Sequence, residues 1–318
     1  MTCPLANSQR YLMLSDESTW GSLDGSPTYY HMPVYSYSVK NKVRSRQANP
    51  FIGGMQNKHN RLLMSQPAGS IHTSLYGWIP DGLSISLAEQ MLTWAFGDQE
   101  TPCGASKSGE WSIIGDTDNR RHTGLRIDSA VLKGSENEPF IDLTLGVEGY
   151  SEASVSTAQT LPTDLNKLTE FEWPNTSFYI GANSGALSLM PIRAFAVQRQ
   201  RGLKAYYMNS SHPTYLAASQ CITNLMVVPL KTGTTYDGYL RSLGSTELYG
   251  RLVVKGLHNG TGSTGTYTVA TIDFPRMSFV DKNDSDESPS GHTFETLNWM
   301  ALKPDSSTNS VTVTMSEA

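Results

Sequence analysis

Only three cysteines occur in 318 residues, Cys3, Cys103 and Cys221. They are odd in number, far apart and match no C-x-x-C spacing, so the expectation is free thiols in a reducing compartment. No stretch approaches the ~20 consecutive apolar residues of a membrane helix. The opening "MTCPLANSQRYLMLSDESTW" lacks the basic start and apolar region of a signal peptide, which leads to the expectation of a chain made and kept in a cytoplasm. A surplus of positive charge is missing too. With 24 Lys and Arg against 29 Asp and Glu, the net charge is -5, which gives no global reason for tight nucleic-acid binding. DNA could still pass nearby without being held.

Motifs of chemistry are equally scarce. The histidines at 31, 59, 72, 122, 212, 258 and 292 are scattered, with no H-E-x-x-H and no cysteine at metal-ligand spacing. "GTGSTG" at Gly260 to Gly265 formally matches a dinucleotide fingerprint, but "TYTVATIDF" follows it and reads as a strand, whereas that site needs a helix there. A hairpin tip is the better reading. "GASKSG" at Gly104 to Gly109 lacks the G-K-[ST] of a phosphate loop, and no G-x-S-x-G exists. "DKNDSDES" at Asp281 to Ser288 concentrates carboxylates, yet its sixth position is Asp286 where a calcium loop needs glycine, and its twelfth is His292. The expectation is no metal, no cofactor and no enzyme.

What the chain does have is alternation. Gly, Ser and Thr recur in short clusters between runs such as "TYYHMPVYSYSVKNKVRSR", the signature of a mainly β protein with many turns. That run, the polar excursion after it and a returning strand over Ser70 to Ile79 predict a hairpin with an oversized tip. "DGLSISLAEQMLTWAFG" then predicts a short helix: Ser86 and Glu89 have capping-box spacing, Leu83, Leu87, Met91 and Trp94 or Ala95 recur at helical spacing, and Gly97 sits where a C-terminal cap belongs. Strands are predicted around Leu125 to Leu132 and Phe140 to Glu148.

The same order returns. "PIRAFAV" at 191–197 is a worn copy of "PVYSYSV" at 33–39, the two prolines lying 158 positions apart. An excursion from Gly202 to Ser219, a return in "QCITNLMVVPL", a shorter helix in "TTYDGYLRSLG" capped by Gly244, and strands over Tyr267 to Val280, Thr293 to Leu302 and "VTVTM" complete it. An internal duplication follows from that shared order. The expected division is 1–155 and 156–318, with linker composition over 151–170.

"VKNKVRSR" brings Lys40, Lys42, Arg44 and Arg46 to alternate positions, so a strand would point all four one way. "VQRQRGLK" repeats this with Arg199, Arg201 and, past a glycine, Lys204. Each strip reads either as a solvated strand face or as a positive surface facing a negative partner, with the acidic stretch at 281–287 as one candidate.

The segments "ESTWGSLDGSPTYYHMPVYSYSVKNKV", "GSIHTSLYGWIPDGLSISLAEQMLTWAFG", and "IDFPRMSFVDKN" followed by "HTFETLNWMALKPDSSTNSVTVTM" give the chain a resemblance to the tail tube proteins, or major tail proteins, of long-tailed bacteriophages. The resemblance implies two tandem β-sandwich or open-barrel domains, each flanked by a short α-helix. It implies a structural virion protein, assembled in the host cytoplasm, whose stacked rings form a tube through which genomic DNA is ejected without tight binding. In that setting the rings would be homotrimers with pseudo-six-fold symmetry, or alternatively homohexamers. Their further partners would be a tape-measure protein and tail terminator or baseplate proteins, with no membrane. Candidate subunit or inter-ring contacts are Lys40, Lys42, Arg44, Arg46, Arg199 and Arg201 from the basic strips. Phe51, Met55, Tyr206 and Tyr207 join them from the two excursions, and Asp281, Asp284, Asp286 and Glu287 from the acidic stretch. Two rival readings are a distal tail or baseplate ring protein of similar fold and a carbohydrate-binding β-sandwich, although the six tryptophans, at 20, 78, 94, 111, 173 and 299, do not cluster in sequence.

Overall fold

The computed structural model describes residues 10–25, 27, 29–47, 60–77, 87–97, 105–113, 119–155, 169–219, 221–229, 247–257, 267–284, 295–303 and 309–317. The first half contains strands β1 (Arg10–Asp16), β2 (Tyr29–Met32), β3 (Ser36–Tyr37), β4 (Lys40–Gln47), β5 (Asn60–Ser74) and β6 (Tyr76–Gly77). Helix α1 (Leu87–Leu92) runs into a π-turn at Thr93–Gly97, and β7 (Lys107–Ile113), β8 (Asn119–Ser135), β9 (Glu138–Glu148) and β10 (Ser151–Val155) follow. The second half contains β11 (Thr169–Gly181), β12 (Leu187–Met190), β13 (Ile192–Gln200), β14 (Leu203–Tyr206), β15 (Tyr215–Ala218) and β16 (Ile222–Pro229). It ends with β17 (Leu248–Leu257), β18 (Tyr267–Asp284), β19 (Glu295–Ala301) and β20 (Thr312–Glu317). The protein is therefore mainly β, as its alternation predicts.

Eight of these strands close on themselves. From β8 the wall passes to β13, β16, β19, β18, β17, β11 and β9, and returns to β8, every neighbour antiparallel. An all-antiparallel ring requires an even number of strands, and eight leave an interior just wide enough for side chains to fill. They do fill it. Phe178, Phe195, Val227, Leu252, Val254, Phe274 and Trp299 are all buried in one cluster that also includes Ala88, Met91, Leu92, Trp94, Ala95 and Phe96 of α1 and its π-turn. Each such large side chain contributes about 1.5–3 kcal/mol by leaving water. The wall's thinnest seam is between β9 and β11, where only Glu172 faces Phe140. There Leu75 is wedged between them, donating to Ile141 O at 2.8 Å and accepting from Phe171 N at 2.9 Å.

Seven strand pairings recur in the two halves. In the first, β1 pairs β2 and β7, β8 pairs β7, β9 and β10, and β5 pairs β9 and β4. In the second, β11 pairs β12 and β17, β18 pairs β17, β19 and β20, and β16 pairs β19 and β13. The strands come in the same chain order with the same neighbours. The two proline-led copies also occupy matching registers: Tyr37, four residues after Pro33, faces Ile71, and Phe195, four after Pro191, faces Val227. Even an irregularity matches, since β8 bulges at Asp128 between Ile127 and Ser129, and β18 bulges at Val280 between Phe279 and Asp281.

The halves are nevertheless stitched together. Ala194 to Gln200 of β13 pair with Ser135 to Ser129 of β8, so the closed wall takes strands from both sides of residue 155. Ser151–Val155, expected in the linker, is strand β10 on the edge of β8. The helix predicted before Gly97 is present as α1 and the π-turn, while the one predicted before Gly244 lies outside the described residues. The first excursion is shorter than expected, because β5 already begins at Asn60, and the second is itself a hairpin of β14 and β15.

Strand β17 shows why glycine hides a strand from its sequence. Leu248, Gly250, Leu252, Val254 and Gly256 alternate inward, and the two glycines occupy core positions because neighbours fill the space. A Cβ on Gly256 would lie 2.9 Å from the ring of Phe171 directly opposite, and one on Gly250 would lie 2.5 Å from Met277. Gly256→Val should therefore cost about 1–3 kcal/mol by overpacking. A lower urea midpoint with an unchanged slope would show it, and an unchanged midpoint would contradict this packing.

Candidate assembly surface

Two long ribbons extend past one end of the barrel. Residues 40–47 and 60–67 form the first, in which β5 has β4 as its one strand partner among the described residues once it has passed β9, whose pairing ends at Ala68. The second continues the β13–β16 hairpin into β14–β15 through Gly202, whose φ of +60° suits glycine. The ribbons touch. Ser65 N donates to Ser211 O at 2.8 Å, and the Tyr207 hydroxyl donates to Gln66 Oε1 at 3.1 Å. Between them lies the corner from β9 to β10, where Tyr150 stacks on His212 at 5.5 Å between ring centroids.

Lys40 and Lys42 are exposed on the outer edge of the first ribbon. Lys42 Nζ lies 3.6 Å from Glu148 Oε1, and the other oxygen of Glu148 accepts from Gln66 Nε2. Burial pushes the Glu148 carboxyl above its ordinary range, with Lys42 opposing the shift and Asp128 adding to it. Arg44 and Arg46 lie on β4 opposite Met64 and Arg61, with their side chains outside the described residues. Phe51, Met55, Asp286 and Glu287 also fall outside them. Asp281 and Asp284 lie at the end of β18, opposite Asn298 and Glu295. Tyr206 is exposed and stacks on Tyr215 at 4.9 Å, beside the more exposed Met208, whereas Tyr207 is half-buried by its contact with Gln66.

Arg199 and Arg201 correct the sequence reading, which placed them on a surface strip. They are 2% and 1% exposed. Both follow Phe195 and Val197 on the inward face of the ribbon, so alternation that would expose one strip buries this one. Arg199 donates to Thr223 Oγ1 at 3.2 Å and to Ala95 O of the π-turn at 3.4 Å, tying the helix to the barrel mouth. Arg201 donates from its backbone to Asp128 O at 2.8 Å and from its guanidinium to Ile127 O at 3.5 Å.

A second feature escaped the sequence reading altogether. Glu17 accepts from Gly124 N at 2.8 Å and Ser108 Oγ at 2.6 Å through one oxygen, and from Gly21 N at 2.9 Å through the other. Trp20 then donates from Nε1 to Gly124 O at 2.9 Å, packs edge-on against Tyr150, and receives the Arg126 guanidinium 5.2 Å from its ring centroid. Gly21 and Gly124 have φ of +78° and +68°, and a Cβ on either would strike Tyr150. The "ESTWG" segment thus pins the kink at which β8 leaves the small sheet of β2, β1, β7 and β10 and enters the barrel.

Beneath that kink lies a buried polar chain. Glu152 Oε2 lies 3.4 Å from His122 Nε2, and His122 Nδ1 shares a hydrogen bond with the Tyr37 hydroxyl at 2.6 Å. Arg120 holds the other Glu152 oxygen at 3.2 Å. Burial lowers the His122 pKa, with Glu152 partly offsetting it, and burial raises that of Tyr37. Among the described residues no group of three or more His, Cys, Asp or Glu side chains could hold a metal. Compared with known proteins, the chain matches no protein-family model and none of the curated proteins.

Two outcomes follow from the burial of these groups. Arg199→Ala should destabilise the fold by about 2–4 kcal/mol, while Lys40→Ala should change it by less than about 0.5 kcal/mol, as denaturant midpoints will show. In the unfolded chain His122 takes a proton near pH 6.5, but in the folded chain only at lower pH. Its contribution to stability is therefore present above 6.5 and lost as pH falls from there toward the folded value. In His122→Gln, the decline in thermal midpoint across that window should be shallower than in the wild type.

Proposed function

We propose that this chain is a structural, self-assembling subunit, a tail tube protein of the long-tailed phage type. The observation that carries the reading is the recurrence of seven strand pairings in the same order in both halves. On this reading they are two tandem tube units, over 1–155 and 156–318, with flanking helices. Each chain supplies two units of a ring, so three chains make a homotrimer that looks six-fold, or six chains make a homohexamer. Rings stack head to tail, a heterologous contact that repeats without closing and so generates a tube.

The paired ribbons suit the stacking role. They project together, they are braced by Ser65, Gln66, Tyr207 and Ser211, and they present Tyr206, Met208 and Tyr215 outward. Exposed Tyr and Met are the residue types enriched at interface cores. Because each barrel is filled, the channel for DNA runs along the ring axis between subunits. A bore lined by acidic groups lets the duplex slide, whereas a basic lining would hold it by counterion release. The strip over Lys40 to Arg46 accordingly lies at a subunit contact. A tape-measure protein within the tube and terminator or baseplate proteins at its ends complete the partners, in a virion tail assembled in the host cytoplasm. No catalytic step is assigned.

Negative-stain microscopy of the purified protein tests this. Long tubes of uniform width are the expected result, and Arg44→Glu with Arg46→Glu should shorten or abolish them. Discrete discs that never stack would favour a distal tail or baseplate ring instead, and a monodisperse monomer would overturn both.

A further inference from the structure

The recurrence of pairings has an unequal remainder. In the second half the six strands in the order β11, β17, β18, β19, β16, β13 form an open sheet whose two ends are bridged by β8 and β9. The first half offers the equivalent six, β1, β7, β8, β9, β5, β4, and among the described residues no strand bridges β4 to β1. Among the described residues, strand β4 pairs on one side only.

The missing hairpin has an equivalent. By the matched pairings β8 and β9 correspond to β18 and β19, and their bulges at Asp128 and Val280 fix the register between them. On β8, the edge that pairs β7 as far as Leu125 goes on to receive β13 over Ser129 to Ser135. On β18, the edge that pairs β17 as far as Met277 receives no strand among the described residues from Ser278 to Asp284. At the bulges, Asp128 accepts from Arg201 N through its carbonyl and from Leu203 N through its carboxylate at 2.6 Å, whereas Val280 is 56% exposed. The position equivalent to Arg199 on β4 is Asn41, whose Oδ1 is buried without a hydrogen-bond partner.

We propose that the β18–β19 hairpin of one copy completes the first unit of a second copy, with β4 of one chain pairing antiparallel to the end of β18 of the next. Transferring the β13–β8 register places Lys42 opposite Asp281 and Lys40 opposite Asn283, beside Asp284. The sequences agree with the geometry where this register applies: "KNK" at 40–42 meets "DKN" at 281–283, with Lys42 against Asp281 and Asn41 against Lys282. Basic residues on β4 also keep this edge from pairing indiscriminately while the chain is alone. Each completed contact leaves the next copy with the same vacancy, so association continues until a ring closes. The inference deepens the self-assembly reading but requires only that copies of this chain associate.

Cross-linking tests it. In a chain with Cys3, Cys103 and Cys221 changed to Ser, Lys42→Cys combined with Asp281→Cys should give disulfide-linked multimers on mild oxidation, because opposed antiparallel residues fall within disulfide range. Either cysteine variant alone should give none. In parallel, Lys42→Glu or Asp281→Lys should weaken association at low salt by about tenfold, and the double swap should restore it. Tubes or oligomers that form without this cross-link would overturn the pairing and leave the tail reading standing. Cross-linked rings that never stack would support the pairing and remove the tail-tube reading.

Discussion

Seven residue pairs between Ala194–Gln200 and Ser129–Ser135 hold the two halves of this chain in one wall. A strand edge carries a row of donors and acceptors that must find partners, and burial without them is costly. The β13–β8 contact satisfies two edges at once and thereby lets eight strands close. Most of the core depends on that closure, since Val197 and Leu132 face one another across it and both are fully buried. Individually such backbone bonds net only about 0.5–1.5 kcal/mol, so the wall is held by their number and by the apolar interior they enclose.

Buried charge is concentrated where elements change neighbours. Arg199 anchors the π-turn at the barrel mouth, Glu17 gathers three donors at the β8 kink, and the Glu110 carboxylate, 1% exposed, accepts two guanidinium hydrogen bonds from Arg121 in the small sheet. These groups fix directions that apolar packing leaves free. Losing one partner of such a pair strands the other without water, which makes these junctions more sensitive to substitution than the barrel staves.

Much of the architecture was legible in the residues, for reasons that differ by element. Alternation showed β8, β9, β13 and β18 because each has a stretch of apolar inward positions, as Ile141, Leu143, Leu145 and Val147 do on β9. The capping pattern of Ser86 and Glu89 and the apolar face through Trp94 showed α1. Strand β17 stayed hidden because two of its inward positions are glycines made necessary by Phe171 and Met277, which are distant in sequence. Arg199 and Arg201 misled for the opposite reason: period two tells which residues share a face and not which face is wet. The Trp20 loop left only a weak signal, a Glu four residues before a Gly that follows a Trp. Its partners at 108, 124, 126 and 150 appear only when β7, β8 and β10 come together.

The order in which the strands leave the ribosome gives the β13–β8 contact a kinetic side. The β8–β9 hairpin can form as soon as its tight turn at Glu136–Asn137 is made, yet its far edge waits for a strand roughly 60 residues downstream. At ordinary translation rates that interval is several seconds. During it the β8 edge over Ser129–Ser135, with Val131 and Leu132 at its centre, has no β13 to pair with. A chain built this way emerges with one strand edge open, and its own second half closes it.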